Sequence, residues 1–265
     1  MKTLRHWFSS LTTQYHRELA AETGKYNILP AHHSERNITD LPPLIQQHLN
    51  NCGYARSEPV ICCQMTWKNA ELKFKPKGKW TPLECTQVNF VPQPARLVLM
   101  KARRGTWLNF CARDKYQDEK GSMLIRLFDK ILISEDTGPK MDQAELVTIL
   151  AETMVVPLYA LQHYISWQTI DAHTVKGTIR DGNTVASGLF QFDERGLMHS
   201  FKTKDRFYTI NGECRSVPWT ASAERYICRG DVMFPSVFKA TWHLPGDDHN
   251  YFRGEITRLE YNVLP

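Results

Sequence analysis

The chain is 265 residues long and 42% hydrophobic, which is enough for a substantial buried core in one large domain or two small ones. Its net charge of +5 is mild, and basic residues are spread among acidic ones, which argues against a dedicated nucleic-acid-binding protein. No stretch is apolar enough to cross a bilayer, and the first residues lack the apolar core of a secretory signal. We therefore expect a soluble, cytoplasmic protein.

The seven cysteines form an odd set with no Cys-x-x-Cys pair, a pattern that fits neither a zinc site nor a disulfide framework. In a reducing compartment such residues pack as small hydrophobic side chains, so we expect them to be reduced and mostly buried. They are Cys52, Cys62, Cys63, Cys85, Cys111, Cys214 and Cys228. We predict no cofactor and no bound metal.

The first predicted element is a helix from Lys2 to about Thr23. Its large apolar residues recur at helical spacing, at Leu4, Trp7, Phe8, Leu11 and Tyr15. This helix could dock on the rest of the protein or lie on a membrane surface, and docking is favoured. A polar stretch at residues 31–40 then predicts a loop. We assign residues 1–40 to this helix and loop, and residues 41–265 to a single domain.

A second, short helix is predicted to begin near Asp40 and to end at Leu49. Asp40 can cap the first amide groups, and the two prolines that follow suit the first turn of a helix. Gly53 is a typical residue for the end of such a helix.

Beyond Pro59 the hydrophobic pattern changes to that of strands. Strand-like runs occupy residues 60–67, 70–74, 80–90, 95–104, 106–116 and 122–133. Short polar turns separate most of them, which is typical of an antiparallel meander.

The longest helical pattern lies in mid-chain, from Thr137 to His163, and predicts a central helix over about 140–163. Asp142 or Thr137 could cap its start, and Pro157 is expected to bend or end it because proline lacks an amide hydrogen. An apolar stripe suited to packing on a sheet is formed by Leu146, Ile149, Leu150, Val155 and Leu158.

Three carboxylates, Asp142, Glu145 and Glu152, share one side of this central helix. They either form a solvated edge or point into a pocket between the helix and the sheet. The solvated edge is favoured, because charge on a helix face is usually solvated.

A second meander follows the central helix, with runs at 167–170, 174–180, 184–192, 197–205, 207–210, 219–228, 234–243 and 251–261. A sheet of so many strands must curl, split or close. The predicted fold is therefore α+β and mainly antiparallel β: one large, strongly curved sheet, a half-barrel, with the central helix and the N-terminal helices on its concave side.

Four potential metal ligands lie close together near the end of the chain: His243, Asp247, Asp248 and His249. The stretch Pro245-Gly246-Asp247-Asp248 reads first as a hairpin turn, in which acidic residues are ordinary. We therefore predict a turn there.

One block is the most specific of a set of motifs along the chain: Gly138-Pro139-Lys140-Met141-Asp142-Gln143-Ala144-Glu145-Leu146, followed by Glu152. The others are Leu41-Pro42-Pro43-Leu44-Ile45 with Leu49, Trp167, Phe192-Asp193 with Gly196, Pro218-Trp219, Pro235, Trp242-His243-Leu244-Pro245, Tyr251, Arg253-Gly254, Ile256-Thr257 and Glu260-Tyr261. Together they resemble a family of uncharacterised bacterial proteins known only as a domain of unknown function, over roughly Leu41 to Asn262.

The strand pattern is also similar to the curved half-barrel of periplasmic carriers that sort bacterial lipoproteins, and of related lipid-binding proteins, where helices plug a concave sheet. This likeness concerns the fold alone, and a fold does not determine a function. Because the first residues do not read as an export signal, we do not expect a lipoprotein-sorting role.

A helix that partly fills a concave sheet leaves an apolar cavity, and such cavities are common ligand sites. The leading hypothesis is a protein that binds a hydrophobic or amphipathic small molecule. Its candidate ligand-binding residues are Asp142, Glu145, Glu152, Trp167, Phe192, Trp219, Trp242 and Arg253. Further aromatic residues of the predicted lining are Trp67, Trp107 and Phe190. Each aromatic residue, taken singly, is better explained by core packing.

Two alternatives remain open. In the first, a hydrolase or isomerase uses Asp142, Glu145 and Glu152 with a cation such as Arg253 or His243. The same groups could instead form a structural ion pair, which is the favoured interpretation. In the second, the protein is a non-catalytic scaffold whose N-terminal helix recruits a partner.

Overall fold

The structure is a computed structural model, and it describes residues 10–26, 36–56, 59–104, 108–210 and 213–263. Its α-helices are α1 (Leu11–Tyr26), α2 (Pro43–Asn51) and α3 (Pro139–Ala151). Its strands are β1 (Cys62–Leu72), β2 (Thr81–Phe90), β3 (Ala95–Arg104), β4 (Leu108–Gln117), β5 (Lys120–Leu127), β6 (Ile131–Thr137), β7 (Ile165–Thr169), β8 (Thr174–Asp181), β9 (Thr184–Phe192), β10 (Met198–Thr203), β11 (Phe207–Ile210), β12 (Glu213–Ser216), β13 (Trp219–Arg229), β14 (Val232–Leu244) and β15 (Asp247–Tyr261). No helix within these ranges has the length and apolar character needed to cross a membrane.

Thirteen strands form one antiparallel sheet in the order β6-β5-β4-β3-β2-β1-β15-β14-β13-β10-β9-β8-β7, and β11 pairs with β12 as a separate hairpin. The chain lays down β1 to β6 outward from the middle of the sheet. It then crosses through α3 to the far edge and returns from β7 to β15, which pairs with β1. The predicted fold class, α+β with one large antiparallel sheet, is confirmed.

The sheet curls around α3. This helix contacts β5 near one edge of the sheet and β9 near the other, which are second and eleventh in the strand order and thus nine spacings apart. In a flat sheet nine spacings would measure about 43 Å, whereas a helix is only about 10–12 Å wide. A half-barrel is the shape that satisfies both contacts. Tyr116 in β4 donates a hydrogen bond to Asp181 in β8 (2.9 Å), which joins the two arms.

Helix α1 lies on the other face of the sheet from α3. Side chains alternate between faces along a strand. In β3, Leu97 and Leu99 belong to the cluster packed on α1, whereas Arg96 and Val98 face the space beneath α3. The N-terminal helices were expected on the concave side. Helix α2 belongs with α3 to the main core, but α1 does not, because it packs on Leu97 and Leu99, which point to the other face of β3.

The predicted N-terminal helix is seen from Leu11 to Tyr26, and residues 2–9 of that prediction lie outside the described residues. One face of α1 is buried through Leu11, Tyr15, Leu19 and Tyr26. Docking on the sheet is therefore what the described part of this helix does.

Helix α3 differs from its prediction at both ends. Its N-cap is Gly138, with φ +99 and no side-chain hydrogen bond, so the predicted caps Thr137 and Asp142 are wrong. It ends at Ala151, before Pro157, and two 3-10 turns (Glu152–Met154 and Pro157–Leu161) continue the chain. The predicted apolar stripe is buried throughout. The solvated edge is wrong, because both Asp142 and Glu145 are buried as well.

Helix α2 begins at Pro43 with Pro42 at the N-cap, so Asp40 does not cap it. The Asp40 carboxylate instead accepts a hydrogen bond from the amide of Asn37 (3.1 Å) in the preceding turn. Gly53 follows the helix with φ +80, the left-handed conformation that glycine adopts readily.

Three strand predictions change in detail. The runs 60–67 and 70–74 join into β1 through an irregular register near residues 66–70. The run 122–133 divides into β5 and β6 at Phe128 and Asp129, which both have positive φ. Strand β12 was not predicted.

The cysteines of the described chain are free. Five are buried, as predicted, and two, Cys214 and Cys228, are exposed.

Candidate functional site

A cavity of about 420 Å³ lies between α3 and the concave face of the sheet. One face of α3 forms its roof through Met141, Ala144, Thr148 and Ala151. These positions recur every three or four residues, so they share one side of the helix. The floor comes from the middle of the sheet, from strands β1, β2, β3, β13, β14 and β15.

Methionine is the most frequent apolar residue around this cavity. Five of the eight methionines in the chain line it: Met65, Met100, Met123, Met141 and Met154. They come from five different elements, β1, β3, β5, α3 and the turn after α3. Methionine is unbranched and polarizable, so a wall of this kind can adapt to differently shaped apolar molecules.

A buried arginine sits among three carboxylates on one wall of the cavity. Arg96 of β3 reaches Asp114 of β4 (Nη1 to Oδ2, 2.8 Å), Glu145 of α3 (Nη1 to Oε2, 3.2 Å) and Glu152 after α3 (Nε to Oε1, 2.7 Å). The Arg96 side chain is only 9% exposed and that of Glu145 only 2%. Charges this deep persist only when they are paired, so this cluster ties the end of α3 to the sheet.

Glu152 also accepts hydrogen bonds from side chains of β2, in addition to its ion pair with Arg96. Its Oε1 also accepts from Gln87 Nε2 (2.9 Å), and its Oε2 accepts from Asn89 Nδ2 (2.6 Å). Gln87 in turn accepts a hydrogen bond from the indole of Trp67 (3.3 Å). Glu152 is therefore a structural anchor with little capacity left for a ligand.

Asp114 and Glu145 hold protons differently. Burial, reinforced by the neighbouring Asp114 carboxylate, raises the pKa of Glu145 well above its ordinary value. Burial opposes ionisation of Asp114 too, but Arg96 and a hydrogen bond from Glu145 outweigh it and lower the pKa of Asp114. Of the two carboxyl groups, Glu145 is therefore the one that holds a proton more readily. Asp114 Oδ1 is buried without another donor among the described residues, and the Glu145 carboxyl is the group that can satisfy it.

Arg206 is a second cation in the cavity wall. Its guanidinium carbon lies 4.6 Å from the ring centre of Trp219 and 5.6 Å from that of Trp242. Its Nη1 donates to the Thr148 hydroxyl (2.6 Å). No carboxylate of the described residues comes within salt-bridge distance of it, and its Nε is buried without a hydrogen-bond partner there. Arg206 thus retains donors that its own chain does not use.

The β11–β12 hairpin covers part of the cavity. Phe207, Thr209 and Cys214 of this hairpin belong to the lining. Lys140, in the first turn of α3, donates from Nζ to the carbonyl of Cys214 (2.9 Å) and lies 5.5 Å from the ring centre of Phe207. One lysine therefore joins the hairpin to the start of the roof.

The structure brings together only part of the predicted ligand-binding set. Glu145, Glu152 and Trp219 line the cavity, as does Trp67. Asp142 does not, because its Oδ1 accepts from the amide of Gly121 (2.8 Å) at the start of β5.

Arg253 also lies away from the cavity lining. It forms an ion pair with Glu71 (2.6 Å) and stacks over Trp80, at 4.4 Å from the ring centre. The predicted cation of the carboxylate set, Arg253 or His243, is thus wrong, and Arg96 takes that place.

The remaining aromatic candidates pack elsewhere in the core. Trp167 and Phe190 contact each other on the side of α3 away from the cavity, with ring centres 5.3 Å apart. Phe192 is buried near His48, and Trp242 is stacked on Tyr251. Trp107 lies outside the described residues.

His243 is held by hydrogen bonds across the β14–β15 hairpin. Its Nδ1 lies 2.8 Å from Asp248 Oδ1, and its Nε2 lies 2.8 Å from the Thr220 hydroxyl. Gly246, with φ +91, forms the predicted turn. In the part of the chain that is described, no group of three or more potential metal-binding side chains comes together.

Sequence reasoning missed Arg96, Asp114 and Arg206. Arg96 could have been found from the alternation of side chains along β3. It shares its face with Val98 and Met100, so it is a charged residue in an otherwise apolar row. No local pattern marks Arg206, because it precedes the separate hairpin.

A model of a family of unknown function (DUF6920) matches residues 39–261, and the chain belongs to that family. No protein in the curated comparison matches the chain.

Two solved structures are similar to this chain. One is a DUF1329 family protein from Desulfovibrio piger, with 8% identity over 86% of this chain and 94% of that chain, at a TM-score of 0.45. The other is a LolA superfamily protein from Nitrosomonas europaea, with 10% identity over 83% of this chain and 94% of that chain, at a TM-score of 0.44. The resemblance stated from the sequence, to a family of unknown function, is confirmed.

Proposed function

We propose that this protein binds an amphipathic small molecule in the cavity beneath α3. The observation that carries the proposal is a cavity of about 420 Å³ whose wall is apolar over most of its area and charged at a few defined points. Ligand sites commonly have about 300–1,000 Å³ and this same mixture of an apolar lining with a few polar groups.

The apolar part of the ligand lies against the methionines and the rings of Trp67, Phe238 and Phe252. The Trp67 ring contacts the other two, with its centre 5.4 Å from that of Phe252 and 5.8 Å from that of Phe238. They form a fixed part of the apolar floor, while the methionines of the lining can change rotamer.

The polar group of the ligand accepts hydrogen bonds from Arg206. Arg96 is occupied by three carboxylates, whereas Arg206 has one hydroxyl partner and two aromatic neighbours. A guanidinium with unused donors beside an apolar wall favours an anionic or strongly accepting head group.

The test is a titration of the full chain with an anionic amphipathic dye, anilinonaphthalene sulfonate, together with native mass spectrometry of freshly purified protein. Ala144 in the roof is 6% exposed, so Ala144→Leu places three extra carbons in the cavity. We expect this variant to weaken dye binding at least tenfold. The matched control is Ala172→Leu, the same change on an exposed turn, which should leave binding unchanged.

A second pair of variants tests the head group. Arg206→Met should weaken binding of the anionic dye more than that of an uncharged amphiphile, whereas Arg180→Met, an exposed arginine on β8, should affect neither. The proposal would be refuted by two results together: Ala144→Leu leaves the dye affinity unaltered, and native mass spectra of the protein show no bound small molecule.

A second candidate function is hydrolysis or isomerisation of the bound molecule. It is favoured by the pair Asp114 and Glu145, which line the cavity with pKa values shifted in opposite directions. Such a pair can act as a base and an acid in one site. Under this hypothesis Glu145→Gln abolishes turnover of a bound ester or amide and leaves dye binding intact. Turnover that survives this change would exclude Glu145 as the acid.

A further inference from the structure

We propose that one end of the sheet docks on an anionic lipid membrane. Antiparallel neighbours alternate their turns between the two ends of a sheet, so the β1–β2 and β5–β6 turns lie at the same end. The basic rim is defined here as residues 73–80 and 128–131 together with Phe110. It is separate from the cavity, and the proposal does not depend on a ligand binding there.

Lysines are concentrated at the basic rim. Lys73, Lys75, Lys77 and Lys79 alternate along the β1–β2 turn, and Lys130 stands in the β5–β6 turn. All but Lys73 are exposed, and none of the five has a carboxylate of the described chain within salt-bridge distance. The balanced composition of the whole chain hides this local surplus of positive charge. A surplus of this kind is attracted by anionic lipid head groups.

The acids near these lysines are engaged elsewhere. Asp129 accepts a hydrogen bond from the amide of Thr12 (3.0 Å) at the start of α1. Glu71 is paired with Arg253, and Asp248 with His243. Asp247, in the adjacent β14–β15 turn, is exposed.

Apolar side chains project from the same rim. Phe74 is 55% exposed, Phe128 48% and Ile131 57%. The two turns are joined by packing, since the Phe74 ring lies 6.5 Å from that of Phe110 and the Phe128 amide donates to the carbonyl of Asn109 (2.8 Å). Cations interleaved with exposed apolar residues are the composition of surfaces that insert shallowly into a lipid interface.

Two details fit insertion. Phe128 has φ +52, a conformation that glycine and asparagine adopt far more readily than a bulky residue, and it points an aromatic ring outward from a hairpin turn. Trp80 is clasped between Lys73 (4.8 Å from the ring centre) and Arg253 (4.4 Å), so its ring is held at the edge of the sheet.

A lipid surface accounts for this set of residues better than a nucleic acid does. Single-stranded nucleic acids stack on exposed aromatic faces. Trp80 already has two cations over its ring, and Ile131 is aliphatic and offers no stacking surface. Leu72 lines the cavity and directly precedes Lys73, so a docked rim would bring that wall close to lipid.

The experiment is flotation of the full chain with vesicles of phosphatidylcholine, alone or mixed with phosphatidylglycerol. We expect binding to the mixed vesicles only, and loss of most of it when salt is raised to about 0.5 M. Lys75→Glu with Lys77→Glu should lower the partition coefficient at least about tenfold, because each basic residue near an anionic surface contributes appreciably. Phe74→Ser, made alone, should also weaken binding to the mixed vesicles. It removes an apolar contact and no charge, so the salt dependence of binding should stay the same.

The matched control is Lys202→Glu with Lys204→Glu, two exposed lysines in and just after β10, which should bind within about twofold of the unaltered chain. Thermal unfolding of each variant checks that it remains folded. Three results would overturn the proposal: equal binding to phosphatidylcholine alone, equal losses in the two double variants, or binding to a single-stranded oligonucleotide in preference to vesicles.

Discussion

The two sides of α3 are both buried, yet one is filled and the other is open. On the filled side Leu146, Ile149 and Leu150 pack into the main core. On the open side the helix presents Ala144, Thr148 and Ala151 to the cavity. The difference teaches that a cavity can be produced by small residues on one helix face, while the helix as a whole remains enclosed.

The two sides also differ in how they are held. Dense packing on the filled side is visible at Gly177, where a Cβ atom would lie 2.9 Å from both Phe190 and Trp167. On the open side the ion cluster around Arg96 replaces packing. One side therefore depends on shape and the other on charge pairing, which makes the comparison testable.

The largest loss of unfolding free energy is expected on the open side, from Arg96→Ala. Removing one partner of a buried ion cluster leaves carboxylates without compensation, and typically costs about 3–5 kcal/mol of unfolding free energy. Arg253→Ala is the control, since its pair with Glu71 is 47% exposed on the arginine side and such pairs contribute about 0–1 kcal/mol. Urea denaturation measures both. Equal losses in the two variants would show that the Arg96 cluster does not hold α3.

A smaller effect is expected on the filled side, from Gly177→Ala. The added methyl group would meet Phe190, Trp167 and, at 3.1 Å, Leu150, and overpacking of this kind costs about 1–3 kcal/mol. Gly24→Ala in α1 is the control, because nothing lies within 4 Å of its Cβ position. It should raise stability by about 0.5–1 kcal/mol, since alanine suits a helix better. A neutral result for Gly177→Ala would mean that this side is not densely packed.

The smallest effect is expected on the pH dependence of the protein's stability, through the carboxyl groups on the open side. Because the pKa of Glu145 is raised in the folded protein, the unfolded chain loses this proton first. Folded stability therefore falls as pH rises above the ordinary value of 4.5 toward the raised value. Glu145→Gln should remove that part of the decline.

Asp114 acts in the opposite sense. Its pKa is lowered on folding, so its stabilisation is present above the ordinary value of 3.8 and is lost as pH falls below it.

The measurement compares the unfolding free energies of Glu145→Gln and the unaltered chain from pH 4 to pH 8. Because the raised pKa of Glu145 destabilises only the unaltered chain as pH rises, the two curves should diverge on the alkaline side. Parallel curves would mean that Glu145 is ionised in the folded protein.

Much of the fold could be predicted because its signals are local. The alternation of apolar residues and the short turns mark most strands, and the apolar stripe with Pro157 marks where α3 packs and the region where it ends. The helix ends that were predicted wrongly depend on hydrogen-bond partners that are distant in the sequence. Asp142 resembles a helix cap in the sequence, but the amide of Gly121 in β5 claims its carboxylate.

Less of the candidate site could be predicted, since its members come from distant parts of the chain. Glu145 and Glu152 were found through helical spacing, but their partner Arg96 lies 49 residues before Glu145. Burial decided the rest: once α3 is enclosed on all sides, a carboxylate on its face must find a cation or keep a proton.

The sequence by itself determined the antiparallel strands, the mid-chain helix and the family, because periodicity and motifs are properties of neighbouring residues. Only the tertiary structure decided which face of α3 is open, which cation meets its carboxylates and which aromatic residues line the cavity. Those outcomes depend on the curl of a thirteen-stranded sheet, which brings strands from its two ends into contact with one helix.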